Sequence, residues 1–117
     1  MDEFLFLQNV EAFWDWHTGT GFSSTGGASA TVNMWNLIAV VRNGTTAQYY
    51  LNGVPSGPEA KAAKSIIYPS NYLYLGADAR DTSHYFTGWM GEMVVLNQAL
   101  TTSQVSALYA AERLAYV

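Results

Sequence analysis

Asp78, Asp81 and His84 carry cation-binding and polar groups within one short stretch that runs directly into Tyr85. Carboxylate oxygens on a loop of this kind can hold Ca²⁺, which takes oxygen ligands in flexible geometry. The same charges on an exposed loop can also be merely solvated. Trp14 and Trp16 are two apart, so on a strand they share one face with Val10 and Ala12. Sugar rings bind by laying their C–H faces on aromatic rings while polar side chains take the hydroxyls. A two-tryptophan face fits that use, and it fits equally the buried side of a packed sheet. Trp14, Trp16, Asp78, Asp81, His84 and Tyr85 are therefore the candidate ligand-binding residues. Asp78 and Asp81 are the candidate metal ligands, for Ca²⁺, and no other cofactor is expected.

Catalysis is poorly served by the remaining groups. Glycoside cleavage needs two carboxylates facing each other across the scissile bond. Glu11 and Asp15 lie four apart on one strand face, about 13 Å at roughly 3.3 Å per residue. Glu92 stands alone, alternating with Met90, Val94 and Leu96. That pattern predicts a partly buried structural carboxylate held by donors, lacking the partner that acid–base work requires. His17 and His84 are the only histidines, and neither neighbours a serine in a strained nucleophile turn. No catalytic residues are assigned, and the chain is expected not to be an enzyme.

The elements that must hold these residues are mostly strands. Residues 3–9 and 10–16 read as two strands, and the Gly-, Ser- and Thr-rich residues 17–28 as a mobile connection. A short strand around Ala30 to Met34 leads to Trp35. Leu37-Ile38-Ala39-Val40-Val41 is a near-continuous apolar run, as expected of a strand covered on both faces. Asn43-Gly44 follows as the expected type I′ turn, and a second strand runs to Asn52-Gly53. Residues 52–65 read as a polar loop whose prolines exclude a central strand, with one helical turn in its Glu-Ala-Lys-Ala-Ala-Lys core. Residues 72–76 and 85–97 read as strands joined by the loop 77–84. After Asn97 the period lengthens: Leu100, Val105, Leu108 and Tyr109 fall near one helical face, and Thr101 and Gln104 have capping-box spacing.

Composition bounds the class. At 117 residues, half of them hydrophobic, the chain is one domain, 1–117, with enough apolar content for a core. Eight Tyr, five Phe and four Trp suit half-buried pleated surfaces. A net charge of −4 with only five scattered basic residues argues against nucleic acid and anionic membranes. The lack of cysteine excludes disulfides and thiolate metal sites. No stretch is apolar for long enough to span a bilayer. Met1-Asp2-Glu3-Phe4 is acidic where a signal peptide is basic, so no export signal is visible.

Several segments, taken in order, resemble one family. Trp35 through Gly53 is similar to the "Trp-hydrophobic-x-Ala-Val-x-Arg-x-Gly … Tyr-x-x-Asn-Gly" hairpin of the concanavalin A-like lectin/glucanase jelly rolls, nearest to the laminin G-like bacterial and phage subset. Leu73-Tyr74-Leu75-Gly76 resembles its "Leu-x-Ile-Gly" strand. Phe86 through Asn97 resembles its "Phe-x-Gly-x-Ile-x-Glu-Val-x-x-Tyr-Asn" strand, and Ala99 through Tyr109 its closing helix. The ordered set covers about two-thirds of the chain. Trp35 and Trp89 fall at positions that are structural in the family, so both are assigned to packing. Gly91 stands where relatives often carry Asp, so a metal role taken from those relatives does not transfer. The opening strands of the family have no counterpart before residue 3, as in a domain truncated at its N-terminus.

The resemblance implies an all-β fold, an antiparallel two-sheet jelly-roll sandwich with a short C-terminal helix. It implies a non-catalytic recognition module with glycan as ligand, in an extracellular or virion context. The alternative is a structural or assembly domain of a phage or surface protein; the missing carboxylate pair disfavours a glycoside hydrolase. An apolar first strand, Phe4-Leu5-Phe6-Leu7, without Lys or Pro to blunt its edge, adds the expectation of a homo-oligomer.

Overall fold

The fold is known from a computed structural model, which describes residues 3–8, 11–17, 22–44, 46–61, 75–77 and 85–116. Its first sheet is antiparallel, ordered β1-β2-β3, from β1 (Glu3–Gln8), β2 (Glu11–His17) and β3 (Phe22–Ser29). Gln8 pairs with Glu11 and Glu3 with Trp16, which makes β1 and β2 a tight hairpin with β1 at the sheet edge. β3 corrects the reading of residues 17–28 as a loop. Its small residues supply no apolar period to recognise, but ladder bonds to β2 need only backbone. The register slips between Ala12 and Phe13, where Ala28 and then Gly26 stand opposite. Glycine is the residue such a bulge tolerates best, so the Gly26-Gly27 pair bends a strand instead of ending one.

Residues 30–37 form a turn where a strand was expected. Asn33 takes a positive φ of 61°. The Asn36 side chain donates to the carbonyls of Thr31 (2.7 Å) and Met34 (2.9 Å) and accepts from Thr31 N (3.2 Å). These local bonds replace the ladder a strand would need.

The second sheet, ordered β4-β5-β6, contains β4 (Ile38–Asn43), β5 (Thr46–Leu51) and β6 (Val54–Lys61), again antiparallel. Asn43 pairs with Thr46 across the first turn, and Gly44 has a φ of 59°. Asn43 is the last strand residue, one position before the turn expected at Asn43-Gly44. The type I′ turn forms at the second Asn-Gly pair: Leu51 pairs with Val54, and Asn52 and Gly53 have φ of 52° and 80°. Asn52 also clamps the entry to β4, its N–H donating to Leu37 O (2.8 Å) and its Oδ1 accepting from Leu37 N (2.9 Å).

β6 replaces the polar loop expected at 52–65, and Glu59, Ala60 and Lys61 lie in the strand, not in a helical turn. Its prolines fit because β6 is an edge strand, where missing N–H groups cost no ladder bond on the open side. Tyr49 faces Ser56 and Ala47 faces Ala60, so residues 57–59 bulge around Gln48. Gln48 Nε2 fills that gap, donating to Tyr49 O (2.9 Å) and Gly57 O (3.2 Å), with Ser56 O at 3.4 Å.

β5 is covered on both faces. Tyr49 is fully buried against Ile38, Val40 and Leu51, and the next residue, Tyr50, is buried on the opposite face. Each such aromatic contributes roughly 1.5–3 kcal/mol of burial energy. The cover on the Tyr50 side includes helix α1 (Thr102–Glu112), where Tyr50 Oη and Thr102 Oγ1 are 3.0 Å apart. The capping box is present in full: Thr101 Oγ1 accepts from Gln104 N (3.2 Å) and Thr101 N donates to Gln104 Oε1 (2.8 Å). Val105 is buried, with Leu100, Leu108 and Tyr109 half-buried, as the helical spacing predicts.

The segment before the helix departs from expectation. Residues 72–74 lie outside the described residues, Leu75-Gly76 is a bend, and Ala77 makes a single antiparallel bridge to Tyr85. Residues 86–100 run without a strand ladder, because no described strand lies alongside to pair with them. Glu92 is consequently exposed, not partly buried, and Trp89 is 88% exposed instead of packed. Trp35 is also partly exposed, but its ring lies 4.6 Å from that of Tyr116. A 3₁₀ turn, Arg113–Ala115, brings Tyr116 there, and its hydroxyl accepts from Glu92 N (2.9 Å). A side chain at Gly91 would collide with the end of the Tyr116 side chain.

Candidate functional site

Of the side chains anticipated from the sequence, Trp14, Trp16 and Tyr85 belong to the described residues. Trp14 and Trp16 lie on β2, the central strand of the first sheet, where the register sets Trp14 opposite Leu5 and Thr25, and Trp16 opposite Glu3 and Ser23. Asp78, Asp81 and His84 fall outside the described residues. Tyr85 is described: it is 63% exposed, and the bridge to Ala77 is reinforced by Phe86 N donating to Gly76 O (2.8 Å). Among the described residues no three His, Asp or Glu side chains are close enough together to hold a metal ion. No helix among them is long and apolar enough to cross a membrane.

A different constellation is assembled between the second sheet and the start of α1. A half-open cavity of about 250 Å³ is lined by Val41, Asn43, Thr46, Gln48 and Tyr50 from the sheet, and by residues 99–102. Strand alternation selects the sheet residues: Thr46, Gln48 and Tyr50 are two apart on β5, and Val41 and Asn43 are two apart on β4, with Val41 paired to Gln48. The capped first turn of α1 sets Thr101 and Thr102 opposite them. The lining carries no charged side chain. Its polar groups are amides and hydroxyls, and its apolar wall is Val41, Ala99 and Leu100.

Much of this polar lining is already held in place. Thr46 Oγ1 donates to Asn43 O (3.1 Å), Gln48 is fixed by the bulge, Thr101 by the capping box, and Tyr50 by Thr102. A pocket held this way needs little reorganisation on binding. The sequence signal for it is the Thr46-x-Gln48-x-Tyr50 alternation. Polar side chains on alternate strand positions ordinarily mark a solvated face, so sequence alone does not single it out.

Comparison with known proteins follows the same outline. The family model Laminin_G_3, described as concanavalin A-like lectin/glucanases superfamily, matches residues 3–106. A search of curated proteins gives no match. Among solved structures, the chain is similar to residues 221–444 of an S-layer domain-containing protein from Clostridium thermocellum, with a TM-score of 0.57 and 20% identity. That likeness covers 85% of this chain and 51% of the other, so the chain spans about half the length of that structure. With most of its residues matched by the family model, the chain belongs to the laminin G-like family of the concanavalin A-like lectin/glucanase superfamily.

Proposed function

We propose that this domain is a non-catalytic recognition module that binds carbohydrate in a cell-surface or extracellular setting, with its two sheets forming the layers of a jelly-roll sandwich. Family membership supports the fold and the ligand class, and the structural neighbour, an S-layer domain-containing protein, supports the setting. The observation that carries the ligand class is the uncharged, hydroxyl- and amide-lined cavity over Tyr50. Sugars are themselves uncharged polyols with apolar C–H faces, and sites for small ligands combine apolar walls with a few placed polar groups. A glycan array, run with and without Ca²⁺, tests this reading. Binding of at least one glycan family is expected. A Ca²⁺ requirement lost on replacing both Asp78 and Asp81 by Ala would add the metal role to it. An array with no binder under either condition overturns it.

A second reading, a structural domain making protein contacts, is favoured by a specific observation. Tyr85, Phe86, Trp89, Met90, Met93 and Val95 are all exposed within one stretch of chain. Exposed large apolar side chains concentrated in one segment are a feature of contact sites.

A further inference from the structure

We infer that the cavity between the β4–β5 face and the first turn of α1 is itself the sugar site, and that it takes a single neutral pyranose-sized ring. The inference rests on the carbohydrate reading above and names its location, ligand charge and ligand size.

Charge comes first. Val41, Asn43, Thr46, Gln48, Tyr50 and residues 99–102 bring no carboxylate, ammonium, guanidinium or imidazole to the cavity. An anion would find no cationic side chain there, only the N-terminal turn of α1, and a metal ion would find no carboxylate. Hydrogen-bond chemistry narrows the class further. Tyr50 Oη and Thr102 Oγ1 share one proton across 3.0 Å, which leaves the pair one hydroxyl proton to donate and lone pairs to accept. Tyr50 is 95% buried, so its hydroxyl is held in place, while its partner Thr102 is exposed. Thr46 Oγ1 spends its proton on Asn43 O and keeps its lone pairs. Thr101 Oγ1 accepts from Gln104 N and keeps its proton. The exposed Asn43 amide adds a carbonyl and an NH₂. Donors and acceptors are thus interleaved over one small concavity. That suits ligands whose own groups both donate and accept, as neighbouring sugar hydroxyls do, while Val41, Ala99 and Leu100 meet the ring's C–H face.

Size comes last. About 250 Å³ lies below the roughly 300–1,000 Å³ usual for drug-sized ligands, and the pocket is open to solvent on one side. One ring fits, and a chain of rings must continue outside.

The test is an NMR titration of the 117-residue chain with D-glucose, D-galactose, D-mannose and N-acetyl-D-glucosamine in the millimolar range, with inorganic phosphate as the charged comparison. The expected result is saturable shifts at the amides of Asn43, Gln48 and Thr102 with at least one sugar and none with phosphate. Two variants should each weaken that binding about tenfold, the loss of one hydrogen-bonding group. They are Asn43→Ala, at an exposed side chain, and Tyr50→Phe, which keeps the buried ring. Sugar-induced shifts confined to other residues, Trp14, Trp16 or Tyr85 among them, would overturn the location and leave the carbohydrate reading standing. Phosphate shifts in the cavity would overturn the neutral ligand class. Silence with every sugar would sink both.

Discussion

Gly53 and Gly44 hold similar positive φ angles, 80° and 59°, in the two turns that flank β5, yet their surroundings differ. A Cβ at Gly44 would meet nothing within 4 Å. At Gly53 it would lie 2.9 Å from Tyr109 Cβ and 3.2 Å from the Ser106 backbone, both on α1. Gly44→Ala should therefore cost only backbone strain, about 1 kcal/mol, near the lower end for a non-glycine residue in this region. Gly53→Ala carries the same strain plus overpacking against the helix, and should cost about 2–4 kcal/mol. Urea titrations of the two variants check this: both midpoints fall with unchanged slope, and Gly53→Ala falls much further. Equal losses would mean that the helix does not press on this turn. The same contact bears on the candidate site, since displacing α1 would move Thr101 and Thr102 away from Tyr50.

Elements held by local chemistry were legible in the sequence, and those held by distant partners were not. The capping box needs only Thr101 and Gln104, and the helix begins where that pair predicts. The β4 and β5 strands were visible in their apolar runs, but two Asn-Gly pairs competed for the type I′ turn. Pairing of Asn43 with Thr46 and of Leu51 with Val54 decides between them, and that is a property of three strands together. β3 and β6 carry too little apolar periodicity to announce themselves. The 85–97 stretch errs the other way, because its alternation is strand-like but no described strand pairs with it. The candidate site shares this limit: Thr46, Gln48 and Tyr50 are readable as one face, but the docking of α1 against that face is not. What ties the unladdered stretch down is Tyr116, whose ring meets Trp35 and whose hydroxyl takes the Glu92 N–H. Tyr116→Phe keeps the ring and removes the acceptor. Hydrogen exchange at the Glu92 amide should then quicken about tenfold, the worth of one such bond. Unchanged exchange would show that the phenol does not hold this segment.

The whole molecule exposes more surface than its mass calls for. A folded monomer of 12.8 kDa has about 6,300 Å² of accessible surface by the usual scaling, whereas this chain has 8005 Å². Much of the exposed apolar side-chain surface lies between Tyr85 and Leu96, where Trp89 is 88% and Val95 77% exposed. β1 stands at the edge of the first sheet, and its Phe4-Leu5-Phe6-Leu7 run has no Lys or Pro to discourage pairing with another chain. We therefore expect self-association, in its simplest form a two-fold dimer in which the same patch meets itself. Sedimentation at micromolar concentration should show a species near twice 12.8 kDa. Trp89→Glu places a charge at the most exposed aromatic side chain of the patch without touching the buried residues Tyr49, Tyr50 or Val105, and should return the chain to monomer with its melting transition intact. A parent chain that sediments as a soluble monomer and melts cooperatively would mean that the apolar stretch is tolerated in isolation, and self-association would have to be abandoned. A dimer that survives Trp89→Glu would move the interface to the β1 edge, where Leu5→Lys or Leu7→Pro would then be the variants to break it.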